Sequence, residues 1–231
     1  MKSVLLSIRP KWCEKICHEI GKEEAGKPIY EKRIEVRKTA PKEVPFKVYI
    51  YCTKPSVRGR YSVGSMVFNT DELYRTPDGK IKYGDSIELI GYGSENYSKD
   101  NFLNGKVIGE FICDKVYEWE CKNRLELVGE LGLPNWRASY MIFTNDLEKT
   151  CLTYDDLWNY GQGKALYGWH ISDLKIYDKP KELSEFCIPC KVSCKNCKNP
   201  LYFECACEEK GKKIVTRPPQ SWCYVEGKNG K

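Results

Sequence analysis

Two stretches of this 231-residue chain hold residue types that can do chemistry, and the chemistry differs between them. The first is rich in cysteine. Of 13 cysteines, six fall between Cys187 and Cys207, as Cys187-Ile-Pro-Cys190, Cys194-Lys-Asn-Cys197 and Cys205-Ala-Cys207. Zinc takes four soft ligands in a tetrahedron, and a C-x2-C pair supplies two of them from one tight turn. Only three residues separate the two such pairs, which leaves little chain to reverse direction. The spacing therefore favours Cys194 and Cys197 as one turn, Cys190 before it, and Cys205 or Cys207 after it, with Cys187 as the alternative to Cys190. Four thiolates leave no open coordination position and no histidine lies nearby, so the expected zinc is structural. An odd cysteine count without an export signal points to thiols and metal thiolates rather than disulfides. Cys13, Cys17, Cys52, Cys113, Cys121 and Cys151 are scattered, and they read as small buried hydrophobes.

The second stretch is Glu31-Lys32-Arg33-Ile34-Glu35-Val36-Arg37-Lys38. Its alternation predicts a strand with Ile34 and Val36 on one side and Arg33, Glu35 and Arg37 on the other. A carboxylate between two guanidinium groups stays ionised. It can accept hydrogen bonds from the exocyclic amine of a base, while arginines hold phosphate in bidentate fashion. Arg9 and Lys11 open the first helix, where backbone N–H groups favour anions. Trp169 and Trp222 are aromatics at strand parity that either stack on a base or fill a core. His170 faces opposite to Trp169 and Ile171 and reads as a structural or surface residue. No Ser-His-Asp order, P-loop or dinucleotide fingerprint is present.

The elements that must position these groups are mostly short strands. Val4–Ile8 is apolar, and Pro10 then opens a helix expected to stop at Gly21. A charged loop spans 22–30, and Phe46–Tyr51 alternates. Hairpin material fills 61–90, with a turn at Asp78-Gly79 and a strand at Ile87–Ile90. Val107–Tyr117 reads as one long strand, 137–150 as holding a short helix, and Thr153 as the cap of a second helix. Tyr167–Ile176 and Ser221–Val225 are further strands. The pattern implies an α+β domain built around a sheet or small barrel. The net charge of +6 is concentrated in residues 1–60, which carry 15 Lys/Arg against 7 Asp/Glu. Such a local excess attracts phosphates. No run approaches the ~20 apolar residues of a membrane span, and the short apolar N-terminus lacks a cleavage site, so the expectation is a cytoplasmic protein without a membrane partner.

Three segments in order resemble the ASCH domain of the PUA-like superfamily. They are Ser7-Ile8-Arg9-Pro10-Lys11 entering a helix, Lys32-Arg-Ile-Glu35-Val-Arg37-Lys38 as a K-x-x-E-x-R strand, and Val48–Pro55, followed later by Val107–Phe111 and Tyr167–Ile171. The ending Arg217–Val225 is similar to the closing strand of phage and gut-bacterial members with a cysteine-rich insertion. The resemblance implies a PUA-like β-barrel flanked by helices, spanning 1–178 with an insertion at 56–105. A zinc-stapled insertion at 181–216 and a closing strand at 217–226 would complete it. It further implies a basic cleft around Arg9, Lys11, Lys32, Arg33, Glu35 and Arg37 for RNA or a nucleotide, with DNA a second candidate and a modified base one form of ligand.

Some small members hydrolyse an acylated cytidine with a Lys, a Thr three residues later, and a more distant Glu. Lys32 matches that Lys, but Glu35 stands where the Thr would be, and a carboxylate cannot simply replace a hydroxyl nucleophile. A hydrolase of modified nucleosides, with Lys32 as its candidate catalytic residue and Glu110 as an acidic partner, is thus the alternative to a binding module. A third reading is a phage–host interaction factor whose tyrosine-rich stretch Tyr83–Phe102 in the insertion binds a protein.

Overall fold

The computed structural model describes residues 1–54, 60–63, 66–69, 72–84, 101–128, 133–189, 207–209 and 212–227. The protein is α+β and mainly sheet, with three α-helices among the described residues. Its backbone divides into two compact units, each assembled from separated stretches of chain.

The first unit comprises Met1–His18, Phe46–Phe111 and Asp173–Lys231. Its frame is a five-stranded sheet in the order Ser172–Lys181, Val107–Cys113, Phe46–Cys52, Ser3–Ile8, Trp222–Tyr224. Ser3–Ile8 runs parallel to Phe46–Cys52, pairing Val4 with Val48 and Leu6 with Ile50, and antiparallel to the last strand, pairing Leu5 with Cys223. Its apolar run Val-Leu-Leu is buried on both faces, as a near-continuous hydrophobic strand requires. Leu5, Tyr51, Val107, Tyr177, Phe186, Val215 and Val225 close one core cluster. Full burial of each such aliphatic side chain contributes about 1.5–3 kcal/mol.

Pro10 sits at the first position of the helix Pro10–Cys17, which buries Cys13 and Ile16. That helix ends at Cys17, four residues short of the expected glycine stop, because His18 already turns to an extended conformation. The Asp78-Gly79 turn joins Glu72–Arg75 to Ile81–Gly84 as expected, with Gly79 at φ +84°. The expected strand at Ile87–Ile90 lies outside the described residues.

The second unit comprises Glu19–Pro45 and Ile112–Ser172. Residues 22–30, expected to be loop, instead contribute to a hairpin of Glu19–Lys22 with Pro28–Tyr30, turned at Gly26 with φ +78°. The central feature is a three-stranded sheet in the order Val116–Trp119, Leu166–His170, Ile34–Arg37. Ile34 and Val36 face a core made with Trp119, Tyr140, Ile142, Leu157 and Leu166. Gly168 pairs with Val36, and a Cβ at Gly168 would collide with the Trp119 ring. The missing side chain leaves room for the Trp119 ring beside the strand. The helices Thr144–Thr150 and Tyr154–Gly161 follow; the second starts with a capping box between Thr153 and Asp156.

Two expectations need correction. The single strand read at Val107–Tyr117 is broken at Asp114-Lys115, where pairing passes from Val107–Cys113 to Val116–Trp119. The sheets are open rather than closed into a barrel. The edge strands of the larger sheet, Ser172–Lys181 and Trp222–Tyr224, pair with no common neighbour that would complete a ring among the described residues. No helix among the described residues is long and apolar enough to cross a membrane.

Candidate functional site

Of the residues singled out by sequence, the structure brings Lys32, Arg33, Glu35 and Arg37 together in the second unit. The register pairs Glu35 with Trp169 and Arg37 with Tyr167 across the sheet. Arg33 continues the ladder: its N–H donates to the carbonyl of Lys149, and its carbonyl accepts from the N–H of Ile171, both at 2.9 Å. The alternation read from the sequence therefore holds, with Ile34 and Val36 in the core and Arg33, Glu35 and Arg37 on the opposite parity, while Lys32 precedes the strand at the parity of Ile34.

The charged side is not a solvent-facing ladder. Lys32 is 2% exposed and Glu35 5%. Lys32 Nζ donates to the carbonyl of Thr150 at 2.5 Å and lies 3.4 Å from Glu35 Oε2. Arg37 Nη2 lies 2.9 Å from Glu35 Oε1. Thr150 closes the helix Thr144–Thr150, whose final carbonyls have no intrahelical partner and form the negative end of its dipole. A cation is the natural plug for that end, and Lys32 supplies it from 118 residues away. The Thr150 hydroxyl is committed elsewhere: it donates to the Leu147 carbonyl at 2.6 Å and accepts from the Leu152 N–H at 3.1 Å.

Burying ions is costly unless each is paired and hydrogen-bonded. Glu35 serves as counter-ion to two cations at once. Arg33 lies two residues before Glu35, and its Nε, like Arg37 Nε and Glu35 Oε2, is buried with no hydrogen-bond partner among the described residues. Residues 32–37 carry three cations against one carboxylate, a local balance that favours an incoming anion.

The other candidates fall elsewhere. Arg9 and Lys11 belong to the first unit and are exposed; Lys11 Nζ lies 5.1 Å from the centre of the Trp12 ring. Trp169 is fully buried and offers no open stacking face, while Trp222 is half-buried and meets Tyr224 edge-on at 5.4 Å. His170 Nδ1 lies 2.6 Å from Asp114 Oδ1. Partial burial acts to raise the Asp114 pKa, but the His170 contact outweighs it and holds the carboxyl below its usual value.

Glu110 was the acidic partner that a hydrolase would need. Its Oε1 accepts from Lys47 Nζ at 2.9 Å and its Oε2 from the Tyr177 hydroxyl at 2.5 Å, all within the first unit. Burial by itself would raise its pKa, but the hydrogen bonds from Tyr177 and Lys47 prevail and lower it. Burial, reinforced by the Glu110 hydrogen bond, pushes the Tyr177 hydroxyl pKa upward. The parts played by Thr150 and Tyr177 carry no sequence signal, since each is an ordinary residue brought in by long-range packing.

Among the expected zinc ligands, Cys190, Cys194, Cys197 and Cys205 lie outside the described residues. Cys207 opens the short strand Cys207–Glu209, which joins Phe186–Pro189, Lys212–Ile214 and Glu226–Gly227 in a four-stranded sheet. Cys187 is a buried free thiol paired in register with Ile214. Among the described residues, no group of three or more His, Cys, Asp or Glu is placed to hold a metal. Of the scattered cysteines, Cys13, Cys52 and Cys113 are buried and burial pushes the Cys113 thiol up to about 12, whereas Cys17, Cys121 and Cys151 are only partly buried.

What the fold and site define is an α+β, sheet-rich protein with a buried cationic cluster on one strand. No family model matches the chain, and no curated protein does. Two solved structures do. They are the crystal structure of ASCH from Zymomonas mobilis and that of a mutant of the same protein, each 12% identical with a TM-score of 0.41. The first match covers 97% of this chain and 88% of that one, the second 98% and 91%. The chain is thus similar to an ASCH domain, the family that its sequence motifs resemble.

Proposed function

We propose that this protein is an RNA- or nucleotide-binding module that takes its ligand at the Lys32–Arg33–Glu35–Arg37 cluster. The observation that carries the reading is the burial of Glu35 against Lys32 and Arg37, in a stretch, 32–37, that holds three cations and one carboxylate. Such a site gains on receiving an anion, and a phosphodiester or nucleotide phosphate matches the guanidinium fork. Glu35, held by its two cations, presents acceptor oxygens suited to the amine edge of a base, and recognition of a modified base belongs to this proposal. The basic bias of residues 1–60 acts at longer range by raising the local concentration of polyanions.

Fluorescence anisotropy with short RNA and DNA at two salt concentrations tests this. Binding that weakens with salt and favours RNA supports it. Absence of binding to RNA, DNA and nucleosides alike overturns it. The hydrolase alternative gains nothing from the geometry, because Lys32 is enclosed by Thr150 and Glu35 and no hydroxyl stands at position 35. We also propose one structural zinc ion held by Cys190, Cys194, Cys197 and either Cys205 or Cys207, on the strength of the ligand spacing. Native mass spectrometry of the intact protein should find one zinc per chain, and a metal-free mass would exclude it.

A further inference from the structure

We propose that Arg33 is the phosphate anchor of the cluster, so that the site accepts phosphorylated ligands, nucleotides or an RNA strand, and discriminates against free bases and nucleosides. This rests on the reading of the cluster as the ligand site and narrows it to one chemical class.

The assignment follows from how each charge is engaged. Glu35 gives Oε1 to Arg37 and faces Lys32 with Oε2. Lys32 spends a donor on the Thr150 carbonyl. These three residues are joined by ion pairs, while Glu35 Oε2 and Arg37 Nε, like Arg33 Nε, are buried without a hydrogen-bond partner among the described residues. Arg33 stands outside those pairs. Its backbone is fixed on both sides, by Lys149 and Ile171, so its Cα cannot drift. Strand parity sends its side chain to the side of Glu35 and Arg37, away from the Ile34 and Val36 core. Its guanidinium meets no carboxylate among the described residues, and its Nε is buried without an acceptor.

A desolvated guanidinium donor with no internal acceptor is a cost that a folded chain keeps only where something outside supplies the acceptor. Arg33 is also only partly buried, in contrast to Lys32 and Glu35, so a ligand can reach it. The planar fork of donors fits two oxygens of one phosphate, and an unphosphorylated nucleoside offers no such pair. Arg33 then holds the phosphate, and Glu35 lies two residues along the same strand side to meet the base.

The experiment compares binding of the four 5′-nucleoside monophosphates, the matching nucleosides and a short single-stranded RNA to the full-length protein. It uses wild type, Arg33→Gln and Arg33→Lys, with thermal unfolding of each ligand-free protein. Wild type should bind monophosphates at least about tenfold more tightly than nucleosides. Arg33→Gln should lose about tenfold or more on monophosphates and RNA, with the slope of log K against log salt falling by about one. Arg33→Lys should keep part of the affinity, since it retains the charge but not the fork. The ligand-free Arg33→Gln protein should melt no lower than wild type, because the guanidinium serves nothing inside the fold. Unchanged nucleotide binding by Arg33→Gln overturns the anchor while leaving the site itself in place. So does a lower melting point of its ligand-free form, which would mark Arg33 as a structural residue. Equal affinity of wild type for nucleosides and nucleotides also removes it. A wild type that binds none of the probes takes the functional reading down together with this one.

Discussion

Two glutamates, one in each unit, show how differently a carboxylate can be used. Glu110 sits at a partly exposed position on the Val107–Cys113 strand, each oxygen met by one donor, Lys47 on one side and Tyr177 on the other. Donors and acceptors match, and the arrangement ties three neighbouring strands of the larger sheet together. Glu35 is buried between two cations, with Arg33 two residues before it in the chain. Glu110 completes a brace, whereas Glu35 restrains a surplus of positive charge. A self-sufficient network is what stability alone would select, and an unbalanced buried one marks a place where a ligand is expected.

The contrast can be broken most sharply at Glu35. Glu35→Ala leaves Lys32 and Arg37 buried without their counter-ion, and should cost about 4 kcal/mol of unfolding free energy by denaturant titration. A cost as small as that of a surface ion pair would mean the cluster is hydrated and the contrast mistaken. Next in size, Lys32→Met removes the plug from the end of the Thr144–Thr150 helix while Glu35 keeps Arg37. The expected loss is about 2 kcal/mol, with hydrogen-exchange protection of that helix falling first.

Glu110→Gln should cost only about 1 kcal/mol, because its network is partly exposed and one amide still fills the space. Its signature is in pH dependence. The folded-state pKa of Glu110 lies below the ordinary 4.5, so its stabilising contribution is complete above that value. It is lost as the pH falls from 4.5 through the lower folded-state pKa, when the native carboxylate must take up a proton. The variant should therefore show a shallower loss of stability below about pH 4.5 than wild type, in melts recorded from pH 6 downward. The smallest effect on either glutamate is expected from zinc chelation. Exchange protection should fall in the strands Phe186–Pro189 and Cys207–Glu209, with Ile34–Arg37 unchanged. Loss of protection first in Ile34–Arg37 would tie the metal segment to the cluster.

Local rules were legible where one residue decides. Pro10 starts its helix, Thr153 and Asp156 cap another, and Asp78-Gly79 turns a hairpin, each through backbone constraints that act within four residues. The parity of Ile34 and Val36 against Glu35 and Arg37 was equally readable, because alternation depends only on being a strand. Strand ends and breaks were less so. The interruption at Asp114-Lys115 lies in a stretch whose composition fits a continuous strand, and it arises because the two halves have different neighbours in different sheets. The resemblance suggested a closed barrel, yet closure is decided by which edges meet, and no residue type encodes that.

By itself the sequence determined that a strand carries Glu35 and Arg37 and that Arg33, Glu35 and Arg37 share one parity; Lys32 and Arg33 fall just before its start rather than within it. It also determined the spacing of Cys190, Cys194, Cys197 and Cys205, from which the zinc proposal comes. Tertiary structure alone decided that the charged side is buried rather than exposed, that Lys32 is tied to a helix end 118 residues away, and that Arg33 is left without an internal acceptor. The physical reason is that parity and capping are set by neighbours along the chain. Desolvation, and with it the worth of every charge in this cluster, is set by what the rest of the chain brings up against it.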